Sequence, residues 1–297
     1  MKISDILLAM FVTLIWGSAF AIIEIGLQGF PPILNASLRF LTASIPWVFF
    51  IKKPNVSWRF LFLFGMNYVL MFSLMYVGMK IGMPSGLTSL VLQSAVIFAL
   101  ILSIVVLKEK PHIMQLIGVF IGFIGIVIIA TDKQSVSSIF AFILVIGAAF
   151  FYGASSIIIK QAGNVEMLPL LVWGCLIPPL PLFGLSLMLE QGQWQAIVDI
   201  TAVGIGSVYY TSLLGTVVAF AIWGALLKRY PANMVVPFNL LVPVFGLLTS
   251  YILLGQQINA KAGFACGLIL LSLLLISFHH IIRKFFNKKL LSLRSQS

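Results

Sequence analysis

A chain of 297 residues has the length of two soluble domains, yet 61% of its residues are hydrophobic and only 8% are charged, with a mean hydropathy of +1.14. That composition excludes a water-soluble globular protein and points to a polytopic membrane protein. The formal net charge of +11 is not a nucleic-acid footprint, because the basic residues fall in short loops and at the C-terminus, where membrane topology accounts for them.

A helix needs about 20 apolar residues to cross about 30 Å of hydrocarbon. Ten such stretches follow one another, at 5–24 (α1), 33–51 (α2), 59–80 (α3), 85–107 (α4), 112–130 (α5), 137–159 (α6), 167–189 (α7), 203–226 (α8), 232–254 (α9) and 262–282 (α10). Lys2, the apolar run 6–16 and Ala19-Phe20-Ala21 mimic a cleavable signal peptide, but the segment recurs inside the chain, so α1 is kept as a membrane helix. The longest loop, 190–201, has about twelve residues, and no extramembrane domain is expected. Cys175 and Cys266 fall within apolar segments and read as core residues, not as a disulfide or a zinc site.

The recurrence is the main organising signal. Trp16-Gly17-Ser18-Ala19-Phe20-Ala21-Ile22-Ile23-Glu24 in α1 reappears in outline as Tyr152-Gly153-Ala154-Ser155-Ser156-Ile157-Ile158-Ile159-Lys160 in α6. Pro84 and the end of α4 at Leu107-Lys108-Glu109 match Pro231 and the end of α9 at Leu254-Gly255-Gln256, 147 residues later. A duplicated set of five helices places its second copy upside down, as in many secondary transporters. The fold class expected is therefore an all-α membrane protein of ten transmembrane helices arranged as two inverted five-helix repeats, 1–132 and 137–285, followed by a basic tail at 286–297.

Orientation follows from the positive-inside rule. With the N-terminus cytoplasmic, Lys2, Lys52, Lys53, Arg59, Lys108, Lys110, Lys160, Lys228, Arg229, Arg283, Lys284, Lys288, Lys289 and Arg294 lie inside, against Lys80, Lys133 and Lys261 outside. Both termini are expected in the cytoplasm.

Trp16-Gly17 with Phe20, Pro31-Pro32 before Leu38-Arg39-Phe40, Met83-Pro84-Ser85-Gly86-Leu87 with Ser89-Leu90-Val91-Leu92-Gln93, and Leu240-Leu241-Val242-Pro243-Val244 with Gly246-Leu247 together resemble the EamA family of the drug/metabolite transporter superfamily. The likeness covers nearly the whole chain and is most like the branch of bacterial inner-membrane exporters that handle cysteine and O-acetylserine. It implies a ten-helix bundle, export of small metabolites and alternating access around a central cavity. The chain departs from the family pattern at Gln256, where an acidic residue is usual, and at Ala265, where a glycine is usual.

Ionisable groups within a bilayer are costly and mark candidate sites. Glu24 and Lys160 end α1 and α6 at matched positions and either snorkel to the interface or serve as coupling groups, Glu24 toward a proton or a substrate amine. Arg39, about two turns into α2, requires either a structural partner, of which Glu24 is the nearest in sequence, or the substrate itself. Ser85, Ser89 and Gln93 form one stripe of α4, and Asn239 sits at nearly the equivalent depth of α9. Gln93 and Asn239 read equally as a midplane site or as interhelical hydrogen bonds, whereas Asn67 on α3 leans toward packing. Pro84 and Pro231 start α4 and α9 with exposed amides that either cap ordinary helices or bind a carboxylate, with Lys228 and Arg229 adding charge at the second. Pro237 and Pro243 permit bending of α9, the candidate moving element. Trp16, Tyr152, Tyr76 and Trp223 at matched positions either wall the cavity or pack helices, and Trp194 anchors at the interface. Gly118, Gly122 and Gly125 on α5, with Gly263 and Gly267 on α10, offer faces for helix packing or for a homodimer.

The partners expected are a small-molecule substrate, the lipid bilayer and a proton or counter-substrate, with neither nucleic acid nor cofactor. No nucleotide-binding Gly-rich loop occurs, so ATP drive would need another subunit. A membrane-embedded enzyme is opposed by the position of His112, His279 and His280 at helix ends and by the lack of any mid-helix aspartate. A passive channel subunit would not need the repeat.

Overall fold

A computed structural model of the chain describes residues 1–132, 138–163 and 165–294, and all regular structure among them is helical; the side chains of 232, 233 and 278–294 fall outside that description. Lys133 and the charges of the expected tail at 286–297 therefore lie outside the described residues. Nine described helices are long and apolar enough to cross a membrane. The remaining expected crossing, α2, runs Pro32–Val48 with 17 residues, which span about 26 Å and stand at the short end of the crossing range.

The other spans are α1 Ile3–Gly26, α3 Trp58–Lys80, α5 Ile113–Ala130, α6 Ile139–Gln161 and α10 Ala260–Arg294, with α4, α7, α8 and α9 each built from pieces. α4 is Ser85–Leu92 then Ala95–Leu107, and α7 is Met167–Gly174 then Pro179–Leu189. α8 is Ala202–Tyr209, a π-helical Tyr210–Val218 and Ala219–Arg229, while α9 is Ala232–Val235, a 3-10 stretch Val236–Leu240 and Leu241–Leu254. The uninterrupted α4 and α9 expected from hydropathy are thus corrected, because hydropathy does not register a break whose freed backbone groups are satisfied inside the protein. In α9 Pro237 and Pro243 lack the N–H groups that a regular helix would need. In α7 Pro178 to Pro181 act likewise, and the Pro179 carbonyl accepts from Ser37 Oγ at 2.9 Å. The 190–201 loop carries a short helix, Gln193–Val198.

Helix ends are satisfied by local chemistry. Ser57, Ser138 and Thr201 cap α3, α6 and α8, and His112 with Gln115 forms a capping box on α5. The carboxylate of Glu190 receives the Ile33 and Leu34 amides at 2.8 and 3.2 Å and so caps α2 from the end of α7.

Helices meet at small residues. Gly118, Gly122 and Gly125 lie on α10, against Ile276, Ser272 and Ile269. The α5 face considered for a homodimer is therefore consumed inside the chain, while a Cβ at Gly263 or Gly267 would meet nothing within 4 Å. Phe120, Ile143 and Leu180 are exposed on the periphery, as lipid-facing residues are.

The two repeats share one packing rule. A Cβ on Gly17 would come within 2.6 Å of the Val242 carbonyl and the Phe245 Cβ, and one on Gly153 within 2.7 Å of the Ala95 carbonyl and 2.9 Å of the Phe98 Cβ. Gly153 follows Gly17 by 136 positions, and Ala95 and Phe98 precede Val242 and Phe245 by the same 147 that relates α4 to α9. So α1 holds α9 as α6 holds α4. Both second halves also end alike, in left-handed residues Lys108 (φ 54) and Gly255 (φ 65), after which Glu109 N–H donates to the Ser103 carbonyl and Gln256 N–H to the Ser250 carbonyl.

Candidate functional site

Where α4 and α9 lose regular winding, at 93–94 and 236–240, they flank a central cavity of about 140 Å³. A cavity of ~150 Å³ admits a benzene-sized molecule, so this volume suits a small metabolite. Of the residues expected to form a site, Trp16, Arg39, Gln93, Tyr152 and Asn239 line it. Gln93 Nε2 donates to the Asn239 carbonyl at 3.2 Å, which ties the two broken helices together at their crossing. Trp16 Nε1 donates to the Gly215 carbonyl at 2.9 Å.

Four expected site residues stand elsewhere. Asn67 donates to the Phe151 carbonyl (2.9 Å) and Ser155 Oγ (2.7 Å), joining α3 to α6. Ser89 donates to its own turn at Gly86 and packs on Gly246, where a Cβ would lie 2.2 Å from its oxygen. Tyr76 is fully buried behind the cavity. Trp223 stacks behind Trp16 at 5.2 Å between ring centroids. The Ser85–Ser89–Gln93 stripe is real, but only its last member reaches the cavity because the helix turns away there.

The π-helical segment of α8 was not legible in sequence. Thr216 Oγ1 donates to the Thr211 carbonyl, five residues back, at 3.1 Å, and the widened turn brings Gly215 and Thr216 to the cavity wall. π-bulges recur at functional sites, but no residue pattern in 210–218 announces one.

Charges resolve into specific pairs. Glu24 does not pair with Arg39 but caps the start of α4, so the expected Arg39 partner is corrected. One Glu24 oxygen accepts from the Ser85 amide at 2.8 Å, and Gln256 Nε2 donates to both oxygens at 2.8 Å. The anion expected at the Pro84 helix start is thus the chain's own carboxylate. Lys160 pairs with Glu109. Lys228 pairs with Glu166, and Arg229 with Asp5 at 3.2 Å; the charge expected from these two residues at the Pro231 helix start is thus taken up by carboxylates of the chain. Arg39 instead sits 4.6 Å above the Phe72 ring and donates to Tyr76 Oη at a long 3.4 Å.

Glu24 and Lys160 are repeat mates, and so are Gln256 and Glu109. Each helix-1-type end thus bonds the residue that follows the α4-type helix of the other repeat. At the Glu24 end the gate is shut: Ser85 and Ser250 hydroxyls meet at 2.9 Å, and Gly86 N–H donates to Gln256 Oε1 at 3.3 Å. Toward the basic end, between the mates of Pro243, Gly246, Ser89 and Gln93, lies a gap of about 320 Å³ bordered by Val96, Ala99, Val236 and Leu240. Gln93, Tyr152 and Asn239 border both this gap and the central cavity. A space of about 240 Å³ also lies at the Glu24 end, bordered by Glu24, Pro84, Ser250 and Gln256, but it shares no lining residue with the central cavity, which adjoins the gap toward the basic end.

A family model described as the EamA-like transporter family matches the chain twice, over residues 3–131 and 139–278. The chain belongs to this family. Two EamA-type relatives are named probable amino-acid metabolite efflux pumps: one of Salmonella typhimurium, 33% identical over 96% of this chain and 98% of its own, and one of Escherichia coli, 31% identical over 92% and 94%. A protein of known crystal structure shares the fold at a TM-score of 0.63 and 15% identity, covering 93% of this chain and 96% of that one. The double match agrees with two repeats, and the chain is a multi-pass membrane transporter of this family.

Proposed function

We propose that this EamA-type protein is a secondary exporter of small metabolites, amino acids or their derivatives, working by alternating access in a bacterial inner membrane with both termini cytoplasmic. The observation that carries this reading is a central cavity built from both repeats, with one gate closed and its symmetry mate apart. The basic end is then the cytoplasmic one, and the conformation described is open to the substrate's source. In the alternate state, α4 and α9 trade contacts: Ser89 leaves Gly246 while Ala99 closes on Val236, and Glu109 occupies the start of α9 as Gln256 occupies that of α4.

The names of the two relatives support the substrate class, and the cavity volume limits its size. We read the chain as a transporter and not as an enzyme, since the cavity lining holds neither carboxylate nor histidine for proton transfer. Glu24 is the candidate coupling group, because protonation would release both Ser85 and Gln256. The test is an untargeted comparison of the medium from cells with and without the chain. A cysteine-related or other small amino acid accumulates outside in the presence of the chain; an unchanged medium overturns the reading.

A further inference from the structure

The side-chain carboxylates of the chain number seven, and all seven lie among the described residues. Asp5 holds Arg229, Glu109 holds Lys160 and Glu166 holds Lys228. Glu24 binds Ser85 and Gln256, Glu190 caps α2, Asp132 accepts from Asn259 and Asp199 is exposed at the end of the loop helix. None is left for Arg39, whose Nε is buried without a hydrogen-bond partner. Arg39 as a whole is half-buried on the cavity wall, and a cation partly withdrawn from water without a counter-ion is disfavoured, with the Phe72 face returning only about 0.5–2 kcal/mol. The 3.4 Å contact to Tyr76 is too long to offset the remainder.

The same cavity holds a complementary orphan. Asn239 Oδ1 is buried and accepts from nothing, and a buried acceptor left unmade costs about 1–3 kcal/mol. One unmatched cation and one unmatched acceptor thus face a space walled by aromatic rings, among them Trp16, Phe20, Phe40 and Phe220. The single positive charge on the wall offers a counter-charge to one carboxylate, and the planar guanidinium matches it with paired N–H donors.

We infer that the central cavity recognises an α-amino acid by both ends, with Arg39 receiving the carboxylate and Asn239 Oδ1 accepting from the amino group, while the aromatic walls take the side chain. This rests on the export reading and deepens it. The carboxylate supplies the counter-charge that the chain lacks, so it is the discriminating group.

The test uses the full chain in lipid nanodiscs, titrated with leucine and cysteine and with the methyl ester and N-acetyl form of each. The free acids bind at least tenfold more tightly than their esters. Arg39→Gln removes that preference and Arg39→Lys restores part of it, whereas Phe120→Leu on the exposed periphery leaves it intact. Asn239→Ala erases the preference for the free amine over the N-acetyl form and keeps acid over ester. Esters binding as tightly as acids to the unsubstituted protein, or an acid preference surviving in Arg39→Gln, overturns the inference. Should Arg39→Gln fail to fold, the acid–ester comparison on the unsubstituted protein still decides. If cells with the chain release a metabolite without a carboxylate, this inference fails and export stands; if nothing is released, both fail.

Discussion

The two ends of the bundle carry the same construction in opposite states. Toward Glu24, three elements are fastened together: the end of α1, the start of α4 and the turn after α9, with bonds of 2.8 Å to the carboxylate. Toward the basic end, among the described residues, Lys160 and Glu109 join the end of α6 to the turn after α4, and the side chains at 232 and 233, at the start of α9, fall outside that description. The pairs that hold α1 to α9 and α6 to α4 through Gly17 and Gly153 are alike at both ends. What differs is whether α4 and α9 touch. Rigid pairs and an exchangeable contact between them are what alternating access requires.

The largest effects are expected at the rigid pairs. Gly17→Val and Gly153→Val drive a side chain into a carbonyl 2.6 or 2.7 Å from the Cβ position, and overpacking of this kind costs about 1–3 kcal/mol or more. Both variants lose folded monomer in detergent-solubilised size-exclusion profiles, while Gly263→Ala and Gly267→Ala, facing open space, keep it. Equal tolerance at all four positions would break the shared packing rule.

Next comes the closed gate. Hydrogen bonds to charged groups contribute about 1.5–3 kcal/mol, so Glu24→Ala shifts the population toward opening at that end by roughly tenfold or more. Labelling of Ser250→Cys by a membrane-impermeant thiol reagent, with Cys175 and Cys266 replaced by alanine, reports the shift as a faster rate. An unchanged rate would make Glu24 a bystander. Lys108→Gly acts on the turn that aims Glu109. A non-glycine residue at φ 54 costs about 1 kcal/mol, so the variant raises the melting temperature modestly, and Gly255→Lys lowers it. Lys160→Ala has the smallest effect, because a half-exposed ion pair is worth about 0–1 kcal/mol, and its change in export rate fades further in high salt.

Much of the architecture was legible because hydropathy and duplication act along the chain. Each crossing followed from run length, with α2 only marginally long, and the equivalence of Glu24 with Lys160 followed from Trp16-Gly17 against Tyr152-Gly153. The pairing of Glu24 with Gln256 is not legible in sequence, because it depends on how helices from opposite repeats are laid side by side. Ser89 misled for a related reason, since polarity inside an apolar helix marks a hydrogen bond but does not name its recipient, whereas Asn67, which leans toward packing, makes interhelical bonds of that kind. Arg39 was recognised as needing a partner, and proximity in sequence suggested Glu24. The helix 4 start took that carboxylate first. The π turn in α8 left no trace, since its geometry arises from tertiary packing and not from residue type.

The central claim is that contact between α4 and α9 at one end excludes contact at the other. In a background with Cys175→Ala and Cys266→Ala, one cysteine pair at positions 85 and 250 and another at 99 and 236 are introduced, separately and together, and oxidised in membranes. The account predicts that each pair cross-links alone, that each cross-link blocks export, and that the four-cysteine protein forms one or the other within a single molecule. Molecules carrying both cross-links at once would contradict it.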